Sequence, residues 1–268
     1  MIRIENIHVD YGRAPDRKKI LNGIDAEIQA GEFVSIVGQT GCGKSTLLRL
    51  ILGEEKPSHG RVLVDGIERS QPDRHCGYVP QKYSLFPDKT ALSNVTFGPE
   101  MTTFRGPLAW CSPRYHREMR GIRGEALAYL QHTGLSDVDA RKYPHQLSGG
   151  MQQRVAIAQT LIMKPSIVLM DEAFSALDPG TRAGMQRLIR RLWRESGATF
   201  IFVTHNTREA VCLGTRVIGL AKTPNGGASI AIDLPVDHID FDSAENAIRD
   251  SVNRIEAGSA QVPEYVLL

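Results

Sequence analysis

No apolar run in this 268-residue chain approaches the roughly 18 residues needed to cross a bilayer, so no membrane span is expected. The first ten residues, M-I-R-I-E-N-I-H-V-D, lack the basic-then-apolar order of a secretory leader, and a cytosolic protein is expected. Cysteine is scarce. The four residues Cys42, Cys76, Cys111 and Cys212 are far apart and form no C-x-x-C pair, which argues against a disulfide framework and a zinc site. Charge of one sign is lacking too: 32 Lys plus Arg face 30 Asp plus Glu, a net +2, so no nucleic acid is expected as a partner without a local basic patch. No sustained heptad run interrupts the chain. With 41% hydrophobic residues, it can bury one large core or two small ones.

What the chain does have is organised around Gly38 to Thr46, reading G-Q-T-G-C-G-K-S-T. The apolar run Phe33 to Val37 precedes it, and Leu47, Leu48, Leu50 and Ile51 follow at helical spacing. The order is therefore strand, glycine loop, helix. Gly38, Gly43, Lys44 and Ser45 fill the P-loop pattern G-x(4)-G-K-[ST] in the context that pattern requires. Gly38, Gly41 and Gly43 permit tight turning, so that backbone N–H groups of Gln39, Thr40, Gly41, Cys42 and their neighbours can converge on an anion beside a helix N-terminus. Lys44 would sit on the β- and γ-phosphates of a nucleotide, Ser45 on Mg²⁺, and Thr46 near the α-phosphate. The bland alternative is a glycine-rich turn that binds nothing.

Around this loop the chain alternates. Ile2 to Val9 and Ile20 to Ile28 read as strands of a β-layer before the loop, and Tyr11 between them is placed either for packing or for stacking on an adenine ring. Gly60 to Gly66 reads as a strand ending in an Asp-Gly turn. Cys76 to Gln81 is a further short strand whose final amide could ligate Mg²⁺ or orient water. Residues 90–145 change character: helical patterning runs from Tyr115 to Thr133, after a basic, irregular stretch from Gly98 to Arg123 that includes Pro107 and Trp110. An inserted helical subdomain over about 90–163 is expected, its charge either a solvated face or a partner surface.

Leu147-Ser148-Gly149-Gly150-Met151-Gln152-Gln153-Arg154 then leads into a helix, with Ser148 a good N-cap and two glycines allowing close backbone approach. Ser166 to Met170 is a near-continuous apolar run that ends on Asp171 and Glu172, the pattern of a parallel strand buried on both faces. Carboxylates at such an end face the ligand crevice, Asp171 on the metal side and Glu172 as a base beside an attacking water. A helix from Pro179, the strand Thr199 to Thr204, His205, a helix from Asn206 and the strand Arg216 to Leu220 complete the alternation. From Ser229 one more strand and a helix over Ser243 to Ala257 follow, with no chemistry evident.

These motifs, in this order, resemble the nucleotide-binding subunit of ABC transporters over about residues 1–222, and most closely the nitrate/sulfonate/taurine importer group. The resemblance implies an α/β P-loop NTPase: a RecA-like core with a mostly parallel sheet, an N-terminal antiparallel β-subdomain, and the helical insertion. It implies an ATPase domain over 1–228, with 229–268 as a C-terminal extension. By that likeness Tyr11 is the adenine-stacking aromatic and Gln81 the glutamine of the loop that senses the γ-phosphate. Ser148, Gly149, Gly150 and Gln152 form the signature loop that meets ATP bound to a second copy, Asp178 is the residue of the loop after the catalytic glutamate, and His205 is the switch histidine. Lys44, Gln81, Glu172 and His205 are the expected catalytic set; Ser45, Gln81 and Asp171 are the expected Mg²⁺ ligands. ATP and Mg²⁺ are the implied cofactors. A second copy, separate permease subunits and, indirectly, a solute-binding protein are the implied partners, which would place the chain on the cytoplasmic face of the membrane.

Some positions depart from the family pattern. Gln39-Thr40 stand for Pro-Ser, Ala173 for a proline that would stiffen the Glu172 turn, and Asn206 for aspartate. A soluble ABC ATPase of iron–sulfur cluster assembly is the rival from another class. A P-loop kinase or GTPase would have no use for L-S-G-G-M-Q.

Overall fold

The computed structural model describes residues 1–12, 16–82, 84–104, 113–175, 177–224, 226–236 and 240–258. The middle of the basic stretch, with Pro107, Trp110 and Cys111, and the last ten residues lie outside these. Among the described residues ten strands form one sheet, in chain order β1 (Ile2–Tyr11), β2 (Lys18–Ile28), β3 (Phe33–Val37), β4 (His59–Val64), β5 (Ile67–Glu68), β6 (Cys76–Val79), β7 (Ile167–Asp171), β8 (Thr199–Thr204), β9 (Arg216–Lys222) and β10 (Ala228–Pro235). Their spatial order is β5-β4-β1-β2-β10-β9-β3-β8-β7-β6.

The sheet has two characters. β1, β2, β4 and β5 pair antiparallel, whereas β9, β3, β8, β7 and β6 are mutually parallel. Every residue of β3, β7 and β8 is buried, the signature of strands covered on both faces. The covering helices are α1 (Lys44–Leu52), α5 (Gly149–Leu161), α6 (Pro179–Ser196), α7 (Thr207–Leu213) and α8 (Phe241–Glu256). Leu47, Leu48, Leu50 and Ile51 of α1 pack both on the antiparallel layer, through Ile4, Ile7 and Ile24, and on the parallel strands, through Leu169, Ile201 and Ile218. On the opposite face Met185, Leu188, Ile189 and Leu192 of α6 meet Phe33, Phe200 and Phe202. Each such aromatic contributes on the order of 2–3 kcal/mol by leaving water.

The helical insertion is built from α2 (Ala91–Thr103), α3 (Pro113–His132), the single turn α4 (Asp137–Ala140) and α5. It has its own apolar centre, with Val95, Ala126, Leu130, Leu135 and Val155 buried together. α5 joins the two regions, since its Ile157 and Leu161 belong to the core beneath the parallel strands.

The segment expected as a C-terminal extension after residue 228 is no appendage. β10 is mostly apolar, pairs antiparallel with β9 from Ala228↔Lys222 to Pro235↔Arg216, and touches β2 at Ala228↔Leu21. It therefore stitches the antiparallel layer to the parallel one. Arg216 clamps the pair by donating from Nε and Nη2 to the two carboxylate oxygens of Asp233, both at 2.6 Å. α8 then lies over β9 and β10 with Ala244, Ile248 and Ile255 buried.

Candidate active site

The P-loop takes its shape from two steric facts. A Cβ at Gly38 would collide with the Leu220 carbonyl oxygen of β9, and Gly43 holds φ +98° where a Cβ would stand 2.7 Å from Leu21 Cδ2. Gly43 is also the N-cap of α1 and offers no side chain to it. Among the described residues the backbone N–H groups of Gly41, Gly43, Ser45 and Thr46 consequently have no protein acceptor. Unfilled donors at a helix N-terminus form an anion cradle. Lys44, only 4% exposed, lies inside it and donates to Gly38 O at 2.7 Å and Gln39 O at 2.9 Å.

The parallel strands deliver the remaining groups to the same end of the sheet. Ser45 Oγ donates to Asp171 Oδ1 at 3.0 Å, bringing a hydroxyl and a buried carboxylate together at the end of β7. Tyr78 of β6 donates its hydroxyl to the other oxygen of Asp171 at 3.3 Å. Burial first, and then the charge of Asp171, push the Tyr78 phenol up to about 12, so it remains a donor at neutral pH. Nothing in the sequence singles out Tyr78, because its part depends on β6 lying beside β7.

Glu172 occupies the left-handed region at φ +44°, unusual for a residue with a side chain. Its N–H donates to Val203 O at 2.9 Å, and its carbonyl accepts from Ser175 N–H at 3.0 Å. Phe174, two residues on, is buried against Phe202 with ring centroids 5.1 Å apart. The turn is thus fixed by packing and backbone bonds despite alanine at position 173. Held there, the Glu172 carboxylate is 3.9 Å from Lys44 Nζ, 3.4 Å from His205 Nδ1, and accepts from Gln81 Nε2 at 3.0 Å. Gln81 also reaches Ser175 Oγ at 3.4 Å. Its amide nitrogen is thus directed at Glu172 and Ser175, while a metal would be taken by the amide oxygen, so this contact leaves the expected ligand role untouched.

Ser45 and Asp171 fit Mg²⁺ chemically, being hard oxygen donors side by side. No group of three or more His, Cys, Asp or Glu among the described residues could cage a metal. Such a pair suits an ion that takes most of its ligands from phosphates and water.

Other expected residues lie apart from this cluster. Tyr11 is 42% exposed; its hydroxyl donates to Glu55, and Thr46 is within hydrogen-bonding reach. Burial and then the Glu55 contact raise its phenol above the ordinary value. Ser148 caps α5 by accepting from Met151 N at 3.3 Å and is exposed, with Gly149 and Gly150 behind it. Gln152 turns inward, its amide donating to Pro144 O at 2.9 Å and Leu147 O at 3.1 Å. Asp178 caps α6 through Thr181 N at 3.0 Å, and hydrogen bonds from the Thr181 hydroxyl and then from its backbone N–H hold the Asp178 carboxyl below the usual range. Among the described residues no hydrogen bond or ion pair joins the Ser148–Gln152 turn to the P-loop of its own chain.

A P-loop between a parallel strand and a helix, a buried strand ending in Asp-Glu, and a separate exposed Ser-Gly-Gly helix start define an ATP-binding cassette. The ABC transporter family model matches residues 21–175, and the chain belongs to that family, whose cassettes bind and hydrolyse ATP. An uncharacterised ABC transporter ATP-binding protein of Methanocaldococcus jannaschii is 42% identical over 83% of this chain and 78% of its own length. The spermidine/putrescine import ATP-binding protein PotA of Vibrio parahaemolyticus is 38% identical over 81% of this chain but 54% of its own length, so the chain spans about half of such relatives. A dimeric ATP-binding cassette in a post-hydrolysis state with ADP and Pi superposes with a TM-score of 0.74 at 33% identity, covering 89% of this chain and all of the other. The narrower likeness to nitrate/sulfonate/taurine importers is not carried by these relatives, because the transported solute named among them is a polyamine.

Proposed function

We propose that this chain is the ATP-hydrolysing subunit of a solute importer, acting as a pair of copies on the cytoplasmic face of the membrane. Separate permease subunits would be its direct partners and a solute-binding protein its indirect one. The convergence of Lys44, Gln81, Glu172 and His205 beside the Ser45–Asp171 pair carries this reading. The import-subunit relatives and the dimeric cassettes support it, as does the lack, among the described residues, of a helix long and apolar enough to cross a membrane. Cluster assembly has no comparable support.

In this reading the P-loop amides and Lys44 hold the phosphates, and Tyr11 stacks on the base. Mg²⁺, when held by Ser45 and Asp171, supplies charge neutralisation on the phosphate oxygens. Glu172 accepts a proton from water as the water oxygen bonds to the γ-phosphorus and the bond to the β–γ bridging oxygen breaks, leaving ADP and phosphate. Gln81 and His205 orient the carboxylate and the water from either side. Ser148 to Gly150 and Asp178, at the starts of α5 and α6 and away from the P-loop of their own chain, close over the nucleotide of the second copy. The surface from Gln81 to Gly98, continuing along the basic segment to Arg123, docks the permease. The solute is chosen by the permease, so the polyamine and nitrate/sulfonate/taurine groups share one ATPase chemistry.

Affinity purification from solubilised membranes tests this reading. ATPase activity abolished by Lys44→Ala should accompany a multi-span protein cross-linked within Gln81–Arg123. Recovery of soluble partners alone, or cross-links confined to Ser229–Leu268, would refute the import assignment.

A further inference from the structure

The P-loop is tethered from the far end of the chain. Gln39 Nε2, on the first turn of the loop, donates to Glu256 Oε2 at the last residue of α8. The other carboxylate oxygen, Oε1, is shielded from solvent and has no hydrogen-bond partner among the described residues. The Gln39 amide is therefore what this carboxylate has to hold on to. α8 is a firm support for the tether, since Ile248 and Ile255 are buried against β9 and its neighbours. Gln39 is also where the loop is organised, because its carbonyl accepts from Lys44 Nζ at 2.9 Å and from Cys42 N–H at 3.2 Å.

We infer that Glu256 is a positioning residue for the nucleotide site: through Gln39 it holds the first turn of the P-loop, and with it the carbonyl on which Lys44 rests, in the shape that receives the phosphates. The inference rests on the ATPase reading above. A loop already shaped costs less to order when ATP arrives, and that advantage is shared by the ground and transition states. The contact therefore governs KM for ATP and leaves kcat alone. A charged, partly shielded hydrogen bond of this kind corresponds to about a 3- to 10-fold change.

The test is a double-mutant cycle on KM for ATP with Gln39→Ala, Glu256→Ala and the pair, together with Glu256→Gln, whose amide oxygen can still accept from Gln39. Glu256→Ala should raise KM about 3- to 10-fold at unchanged kcat and unchanged melting temperature, Glu256→Gln should restore it, and the double variant should be no worse than the poorer single one. Strictly multiplicative effects in the cycle, a parental KM for Glu256→Ala, or a fall in kcat with KM unmoved would overturn the inference while leaving the ATPase reading intact. A parent chain that binds no ATP would instead remove that reading.

Discussion

Replacing Glu172 by Gln isolates one property of the side chain, its ability to take a proton. The backbone at φ +44° is unaffected by the change, because the bonds that fix it, Glu172 N–H to Val203 O at 2.9 Å and Ser175 N–H to Glu172 O at 3.0 Å, are main-chain bonds. The amide oxygen can still accept from Gln81, whose nitrogen stands 3.0 Å from the carboxylate. Lys44 keeps its two carbonyl partners at 2.7 and 2.9 Å while losing the counter-charge 3.9 Å away, so phosphate binding should hold or tighten. What disappears is the base. Removing a positioned general base costs roughly 10²- to 10⁴-fold in turnover, or about 3–5 kcal/mol of barrier. ATP held without hydrolysis should keep two copies together, so light scattering should report a dimer with Mg-ATP and a monomer without it. Ser148→Arg in the same chain should abolish that dimer, since Ser148 is exposed and its loss as an N-cap costs only about 1 kcal/mol. Hydrolysis at the parental rate would remove Glu172 as the base; a monomer that binds ATP at saturation would remove the two-copy closure.

Tyr11→Ala should raise KM for ATP several-fold with turnover at saturation largely kept, because one stacking contact of about 1 kcal/mol is lost from ground and transition states alike; titration of the initial rate decides it. Gly38→Ala drives a methyl into the Leu220 carbonyl, so calorimetry should show a loss of about 1–3 kcal/mol, with nucleotide binding weakened in parallel. Asp139 has its carboxyl lowered from 3.8 to about 2, chiefly by its hydrogen bond from Lys142 and then by Ser136. Its contribution is therefore complete above about pH 4 and is lost as pH falls towards 2, so the difference in melting temperature between the parent and Asp139→Asn should vanish across that window.

The chemistry of this chain was legible wherever it is local. Gly38 to Thr46 and Ser166 to Glu172 declare a loop and a buried strand through patterns a few residues long, and the structure places them where those patterns require. What was illegible depends on neighbours distant in sequence. Tyr78 reaches Asp171 only because β6 pairs with β7, and Gln81 meets Glu172 because the loop after β6 runs beside the end of β7. The Gln152 amide nitrogen donates to the Pro144 and Leu147 carbonyls, contacts that the signature pattern alone does not announce. The tail showed a strand and a helix but not their place, since an apolar run says that β10 pairs and not with whom.

The central position of β10 also bears on how the protein is made. As the chain leaves the ribosome, β2 and β9 are both complete before residue 228 appears; β9 then presents a row of unpaired N–H and C=O groups, and β2 the edge at Leu21, toward the gap that β10 will fill. Until then the antiparallel layer and the parallel core lack the strand that joins them, and two open edges are exposed to pairing with other nascent chains. β10 must be made before the sheet can close. A chain stopped short of Ala228 keeps the P-loop and the Asp171-Glu172 strand end but lacks the strand between its two layers, and its open β9 edge is then available to pair with other chains.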